Sequence, residues 1–139
     1  MSSIVQTQTN SFKKELYQGI HDLSTDTIKI ALYSASANLN ADTTVYSVTS
    51  EVVASGYTAG GNVLTGVSIS ASNGVAYANW DNTSWNASLT TRCALIYNAS
   101  KGNKSVAVLD FGSDKTSTST FLITMPANTS SSALIRSSN

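Results

Sequence analysis

Val63-Leu64-Thr65-Gly66-Val67-Ser68-Ile69-Ser70-Ala71-Ser72-Asn73-Gly74-Val75-Ala76-Tyr77-Ala78-Asn79-Trp80 is the stretch that decides the fold. On both sides of Asn73-Gly74 apolar and small polar residues alternate, the period of a strand whose two faces meet different surroundings. An Asn-Gly pair between two such runs is the strongest short-range hairpin signal, because Gly supplies the positive φ of a tight primed turn. The stretch therefore predicts two antiparallel strands, over 63–70 and 75–80.

Working outward, the same period recurs. Ile28, Ile30 and Leu32 alternate with Lys29, Ala31 and Tyr33, which predicts a half-buried strand. Further short strands are expected over 51–57, 90–97, 106–111, 121–125 and 133–136. Turn chemistry separates them at Asn98 to Asn103 and at Gly112-Ser113-Asp114. The lone Pro126 follows a strand run, where a missing N–H does least harm. Residues 34–50, rich in Ser, Ala, Asn, Asp and Thr, read as a long loop, with Val45, Tyr46 and Val48 as a short turn or strand inside it. Seven or eight short strands at regular spacing predict a mainly β chain: an antiparallel β-sandwich, or a barrel-like variant of it. One domain over 11–139 is expected, with no internal repeat.

The exception to the β pattern precedes it. Phe12, Leu16, Ile20 and Leu23 fall on one helical face, while Lys13, Lys14, Glu15 and Gln18 fall off it. This predicts one N-terminal amphipathic helix over about 11–23, with Asn10 or Ser11 as N-cap. Gly19 inside that span costs about 1 kcal/mol relative to Ala. Residues 1–10 carry no charge and read as an extended N-terminal arm, a candidate for strand addition to a neighbouring subunit. Ile4 and Val5 of the arm, with Phe12 and Leu16 of the helix, are the candidate partner contacts, although packing on the chain's own core is the stronger expectation for the helix face.

Composition narrows the function classes. Eight Lys and Arg balance eight Asp and Glu, only 12% of the chain is charged, and 53 of 139 residues are Ser, Thr or Asn. A neutral balance excludes a nucleic-acid or anionic-membrane binder, which needs clustered cations. With 41% apolar residues the chain is too hydrophobic for a disordered linker. No segment reaches the roughly 20 apolar residues of a membrane span. The N-terminus lacks the basic and apolar regions of a signal peptide, so synthesis in a cytoplasm without classical secretion is expected. The single cysteine, Cys93, makes no internal disulfide and reads as a small core residue.

Candidate chemistry is thin. His21 is the only histidine, which excludes a site built on two His ligands, and near a helix end it reads as structural. No Ser lies in a G-x-S-x-G elbow. Asp81-Asn82-Thr83 and Asp110 to Asp114 lack the acidic density of a calcium loop. Gly56-Tyr57-Thr58-Ala59-Gly60-Gly61 lacks the Lys-Ser/Thr ending of a phosphate loop and reads as a turn or bulge. No catalytic residue, cofactor or metal is expected. Trp80 and Trp85 bracket a short polar bend; they are either core residues, the stronger reading, or the sugar-stacking platform of a carbohydrate-binding adhesion module.

One further signal lies in the order of motifs. Asn10-Ser11-Phe12-Lys13-Lys14-Glu15-Leu16 runs into Asp26-Thr27-Ile28-Lys29-Ile30-Ala31-Leu32-Tyr33. Then follow Gly56-Tyr57-Thr58-Ala59-Gly60-Gly61-Asn62-Val63-Leu64, Trp80 and Trp85, Arg92-Cys93-Ala94-Leu95-Ile96-Tyr97, and Asp110-Phe111-Gly112-Ser113-Asp114. As an ordered set over roughly residues 10–125, these resemble small structural proteins of tailed bacteriophages. The resemblance implies a non-enzymatic virion protein with a β-rich fold, most directly a capsid decoration (cement) protein that binds and stabilises the assembled head. Neck or tail components are the alternative within that group. It implies the major capsid protein and copies of the chain itself as partners, in a virion assembled from protein made in the host cytoplasm.

Overall fold

The computed structural model describes residues 5–138, which form strand β1 (Val5–Gln8), helix α1 (Asn10–Tyr17), and strands β2 (Ile28–Tyr33), β3 (Asn62–Val63), β4 (Ser68–Ser72), β5 (Val75–Asn79), β6 (Thr83–Trp85), β7 (Leu89–Asn98), β8 (Lys104–Ser117), β9 (Phe121–Ile123) and β10 (Ile135–Ser138). The chain is mainly β, with antiparallel sheets and one α-helix, as expected. A five-stranded sheet has the order β1-β8-β7-β2-β3. A three-stranded sheet, β10-β5-β4, and the pair β6-β9 supply further residues to the same main core. The arrangement is sandwich-like, and no barrel closes among the described residues.

The hairpin forms as its sequence dictates. β4 pairs with β5 so that Ser72 faces Val75, leaving Asn73 and Gly74 as the two turn residues. Their φ angles are 54° and 77°, the left-handed pair that a type I′ turn requires.

The central strands are buried on both faces, where the sequence predicted one. Ile28, Ile30 and Leu32 of β2 join Ala94, Ile96, Ala107 and Leu109 in the main core. On the opposite face Ala31, Tyr33, Cys93, Leu95, Tyr97 and Val108 form a second cluster. Its cover is the 34–50 loop, which folds back and lays Ala37, Leu39 and Tyr46 on the sheet. Tyr46 stacks on Tyr97 with ring centroids 4.6 Å apart. A polar loop with a few well-placed apolar groups thus closes a second core.

Several boundaries differ from expectation. The 51–57 stretch makes only isolated bridges, Tyr33 with Glu51 and Ala54 with Tyr57. The 63–70 run splits into β3 and β4, and β6 was not foreseen. β8 runs through the expected turn at Gly112 to Asp114, and a register shift against Thr91 and Cys93 absorbs the extra residues.

Two corrections concern the N-terminus. The helix ends at Tyr17 rather than near 23, because Gly19 is a stop signal and not an interior glycine. At φ 71° it sits one residue past the cap Gln18. There the Gly19 N–H donates to the Leu16 carbonyl and the Ile20 N–H to the Glu15 carbonyl, the paired bonds of a Schellman motif. The N-cap is Thr9, whose hydroxyl accepts from the Phe12 N–H, rather than Asn10 or Ser11.

The described part of the arm is also not free. β1 pairs antiparallel with β8, Val5 opposite Asp110 through Gln8 opposite Ala107. The Gln6 and Gln8 side-chain amides donate to the carbonyls of Ala133 and Arg136 at 2.9 and 2.6 Å. Thr9 is fully buried and hydrogen-bonded to Ser105. Deleting residues 1–8 is expected to lower the melting temperature by several degrees, since each kcal/mol lost costs about 3–6 °C at this size. An unchanged calorimetric transition would show that β1 adds nothing to the fold.

Candidate functional site

The candidate contact residues fall in unlike places. Ile4 lies outside the described residues. Val5 is 65% exposed at the end of the edge strand. Phe12 is 0% exposed, its ring 5.0 Å from that of His21, and Leu16 packs partly buried against the main core. The helix face is therefore spent on the chain's own core and offers no apolar stripe to a partner. Trp80 and Trp85 are also core residues, 5% and 4% exposed. Trp85 packs between Tyr57 and Phe121, with centroids 5.9 and 6.3 Å away. Neither indole face is open to stack on a sugar, so the two tryptophans do not form a glycan platform.

His21 lies just beyond the helix, with its side chain 0% exposed. Its Nε2 is 2.8 Å from Glu15 Oε1, and its Nδ1 is 3.0 Å from Asn98 Nδ2. The orientation of Asn98 is fixed independently. Its Oδ1 accepts from the Ser100 N–H, and its Nδ2 also donates to Asp26 Oδ2 at 2.7 Å. Since an amide nitrogen only donates, Nδ1 accepts and Nε2 carries the proton toward Glu15. Asp26 in turn receives Lys101 Nζ on both oxygens, at 2.8 and 2.9 Å. Burial pushes the Asp26 carboxyl up, but the hydrogen bonds from Lys101 and Asn98 outweigh it and hold the carboxyl at about 2. The chain Glu15–His21–Asn98–Asp26–Lys101 has the residue types of a proton relay. Every donor and acceptor named in it is spent internally, and the His21 imidazole is buried from solvent. Its effect is to pin the helix exit to the end of β7.

The densest polar cluster is one the sequence reading did not single out. Glu51, only 8% exposed, holds three donors. Tyr46 Oη donates to Oε1 at 2.6 Å, while Tyr57 Oη at 2.5 Å and the Gly60 N–H at 2.8 Å donate to Oε2. Tyr57 Oη also accepts from the Leu32 N–H, and Tyr97 Oη donates to the Gly60 carbonyl at 2.6 Å. Tyr33 Oη donates to the Ser47 carbonyl at 2.6 Å. One carboxylate and four phenols thus fasten the 34–50 and 51–61 segments onto β2 and β7. The available signal was a lone Glu in the run Ser50-Glu51-Val52-Val53-Ala54, within a chain where tyrosines recur in the flanking segments.

Burial, and then the charge or hydrogen bond of Glu51, raises all four phenols; Tyr97 is pushed up to about 12. The consequence has a definite sign. Unfolded phenols release their protons near pH 10, whereas the folded chain keeps them, so this stabilisation is complete below pH 10 and falls as pH rises toward 12. Each retained proton contributes a slope of about 1.4 kcal/mol per pH unit. The three deepest phenols, Tyr33, Tyr57 and Tyr97, together give about 4 kcal/mol per unit. In a variant carrying Tyr17→Phe and Tyr77→Phe, which leaves only the four network tyrosines, alkaline titration is expected to show phenolate absorbance rising in one steep step, coincident with loss of far-UV circular dichroism. A gradual rise well ahead of unfolding would contradict the buried network.

Beside Glu51 lies an open cleft of about 520 Å³ lined by Ser34, Val52, Ala54, Leu89, Thr90 and Thr116. Its walls offer hydroxyls and apolar groups, and the carboxylate at its edge is already occupied by its three donors. Among the described residues no three His, Cys, Asp or Glu side chains come close enough to hold a metal ion. No helix among the described residues is long and apolar enough to cross a membrane. No family model, curated protein or solved structure matches the chain.

Proposed function

We propose that this chain is a structural component of a tailed-phage virion, acting as a decoration protein that binds the assembled head and stabilises it. The observation that carries the reading is the ordered motif set from Asn10 to Asp114, which resembles such proteins. Two properties of the fold support it. The polar groups best suited to chemistry, His21, Asp26 and Glu51, are consumed in holding loops and helix to the sheet. The surface is dominated by uncharged Ser, Thr and Asn, which pack against many like copies without the repulsion that a large net charge brings. A cement protein performs no bond chemistry. It binds the mature shell better than its precursors or fragments and stabilises it by mass action over many sites.

Copy number in purified particles tests the reading. Hundreds of copies per head, removed together with a loss of thermal resistance of the shell, is the expected result. Six or twelve copies would assign the chain to a neck or tail ring instead, and none at all would end the virion reading.

A further inference from the structure

We propose that the free edge of β4 is a self-association edge, at which the strand pairs antiparallel with β4 of a second copy about a two-fold axis through Ser70. The inference concerns the isolated protein and does not depend on the virion reading.

The first ground is the unpaired backbone. β4 ends the order β10-β5-β4, and among the described residues its backbone hydrogen bonds run only to β5. Residues 69–72 are exposed, with Ile69 at 52%. The nearby 126–132 segment reaches this hairpin through side chains: Asn128 Nδ2 donates to Ser68 Oγ, and Asn73 Nδ2 to Ser130 Oγ. Among the described residues no backbone group pairs with the outward N–H and C=O groups of β4.

The second ground is the absence of protection. Edge strands are ordinarily blunted by a charged side chain, a proline, a bulge, shortness or a covering segment. β4 reads Ser-Ile-Ser-Ala-Ser, five residues in unbroken register with β5. The ends of the larger sheet and the far end of this one differ: β3 has two residues, β10 carries Arg136, and glutamine amides of β1 donate to carbonyls at and just before β10.

The third ground selects the occupant. A two-fold interface sets each residue against its own symmetry-related neighbourhood, so any charge on the strand would meet its like. β4 has none, and its pattern is a palindrome. With Ser70 on the axis, Ser68 faces Ser72 of the second copy and Ile69 faces Ala71. One face then carries serine hydroxyls opposite serine hydroxyls. The other continues the small apolar row Ile69–Ala78 and Ala71–Ala76 already paired across the hairpin. The product is a six-stranded sheet, β10-β5-β4 joined to its copy. A five-residue strand buries less than the roughly 1,600 Å² of a standard interface, so the free dimer is weak and strengthens where copies are held close together.

Cysteine cross-linking decides the matter. Facing residues on paired strands bring their Cβ atoms to about 4.5–5.5 Å, close enough for a disulfide after a small adjustment. The expected result is that Ser70→Cys alone gives a covalent dimer under mild oxidation. Ser68→Cys and Ser72→Cys alone should stay monomeric and cross-link only when mixed. The native Cys93 is buried and its thiol is pushed up to about 11, so the unmodified protein should remain monomeric on a non-reducing gel. Each variant is first checked for its melting temperature, expected to be unchanged at the exposed Ser70 and Ser72 and slightly lowered at the half-buried Ser68, whose hydroxyl accepts from Asn128. No dimer from either Ser70→Cys or the mixture would overturn the proposal, and a dimer from Ser68→Cys alone would overturn the Ser70 axis.

Discussion

Replacing Glu51 with alanine is expected to cost about 3–5 kcal/mol of folding stability, read as a large drop in the urea midpoint. The change strips the acceptor from three donors at once: the Tyr46 and Tyr57 hydroxyls and the Gly60 N–H. Each buried donor left unpaired costs roughly 1–3 kcal/mol, reduced where water from the adjoining cleft can replace the lost partner. Glu51→Gln provides the contrast. Its amide oxygen can still serve Tyr57 and Gly60, and Tyr46 need only turn its hydroxyl to accept from the new NH₂. A cost of about 1 kcal/mol is expected there. The alanine variant should also show its alkaline step at lower pH, because the hydrogen bonds and charge of Glu51 no longer add to burial in keeping the phenols protonated. A Glu51→Ala protein within 0.5 kcal/mol of the parent would show that the cluster is incidental to the fold.

Gly61→Ala is expected to be at least as damaging, for a steric reason. At φ 79°, a Cβ built on Gly61 would lie 1.8 Å from the Ile30 carbonyl oxygen and 2.6 Å from its carbon. Those atoms belong to the backbone of a central strand, so no side-chain rotation relieves the clash. The next residue, Asn62, pairs with Ile30, and Val63 with Lys29. Moving Gly61 away would break that pairing and disturb Gly60, which binds both Glu51 and Tyr97. A loss of about 4 kcal/mol or more is expected, in the range reserved for specific core or backbone failures. Gly74→Ala is the control. It has a similar φ of 77° but nothing within 4 Å of the new Cβ, so only backbone strain of about 1–2 kcal/mol applies. Equal effects from the two substitutions in equilibrium unfolding would remove the close approach as the cause. Because Gly61 and Glu51 act on the same loops, their combined cost should fall short of the sum.

Residue by residue, legibility in the sequence follows the range of the forces involved. The Asn73-Gly74 turn was readable because both its residues and its geometry are local. So was the alternation of Ile28, Ile30 and Leu32. Gly19 was visible but misjudged, since the same residue can weaken a helix interior or end the helix in a Schellman motif. The roles of Phe12, Trp80 and Trp85 were ambiguous because an apolar side chain does not declare whether its own core or a partner will cover it. The Glu51 cluster could not be assembled at all: Tyr33, Tyr46, Tyr57 and Tyr97 lie up to 46 positions from Glu51, and only loop closure brings them to it.

By itself, then, the sequence determined a mainly β antiparallel chain, its main hairpin, the presence of one N-terminal helix and a composition poor in charge. All of these follow from periodicity, turn residues and composition, which act within a few residues or over the chain as a whole. The tertiary structure alone decided that Val5–Gln8 is a strand of the sheet and that the 34–50 loop closes a second core. It alone decided that His21 and Glu51 are fasteners, and that β4 is left as the unprotected edge. Those outcomes depend on which distant groups satisfy one another's hydrogen bonds once the backbone is placed, and a one-dimensional pattern carries no record of that pairing.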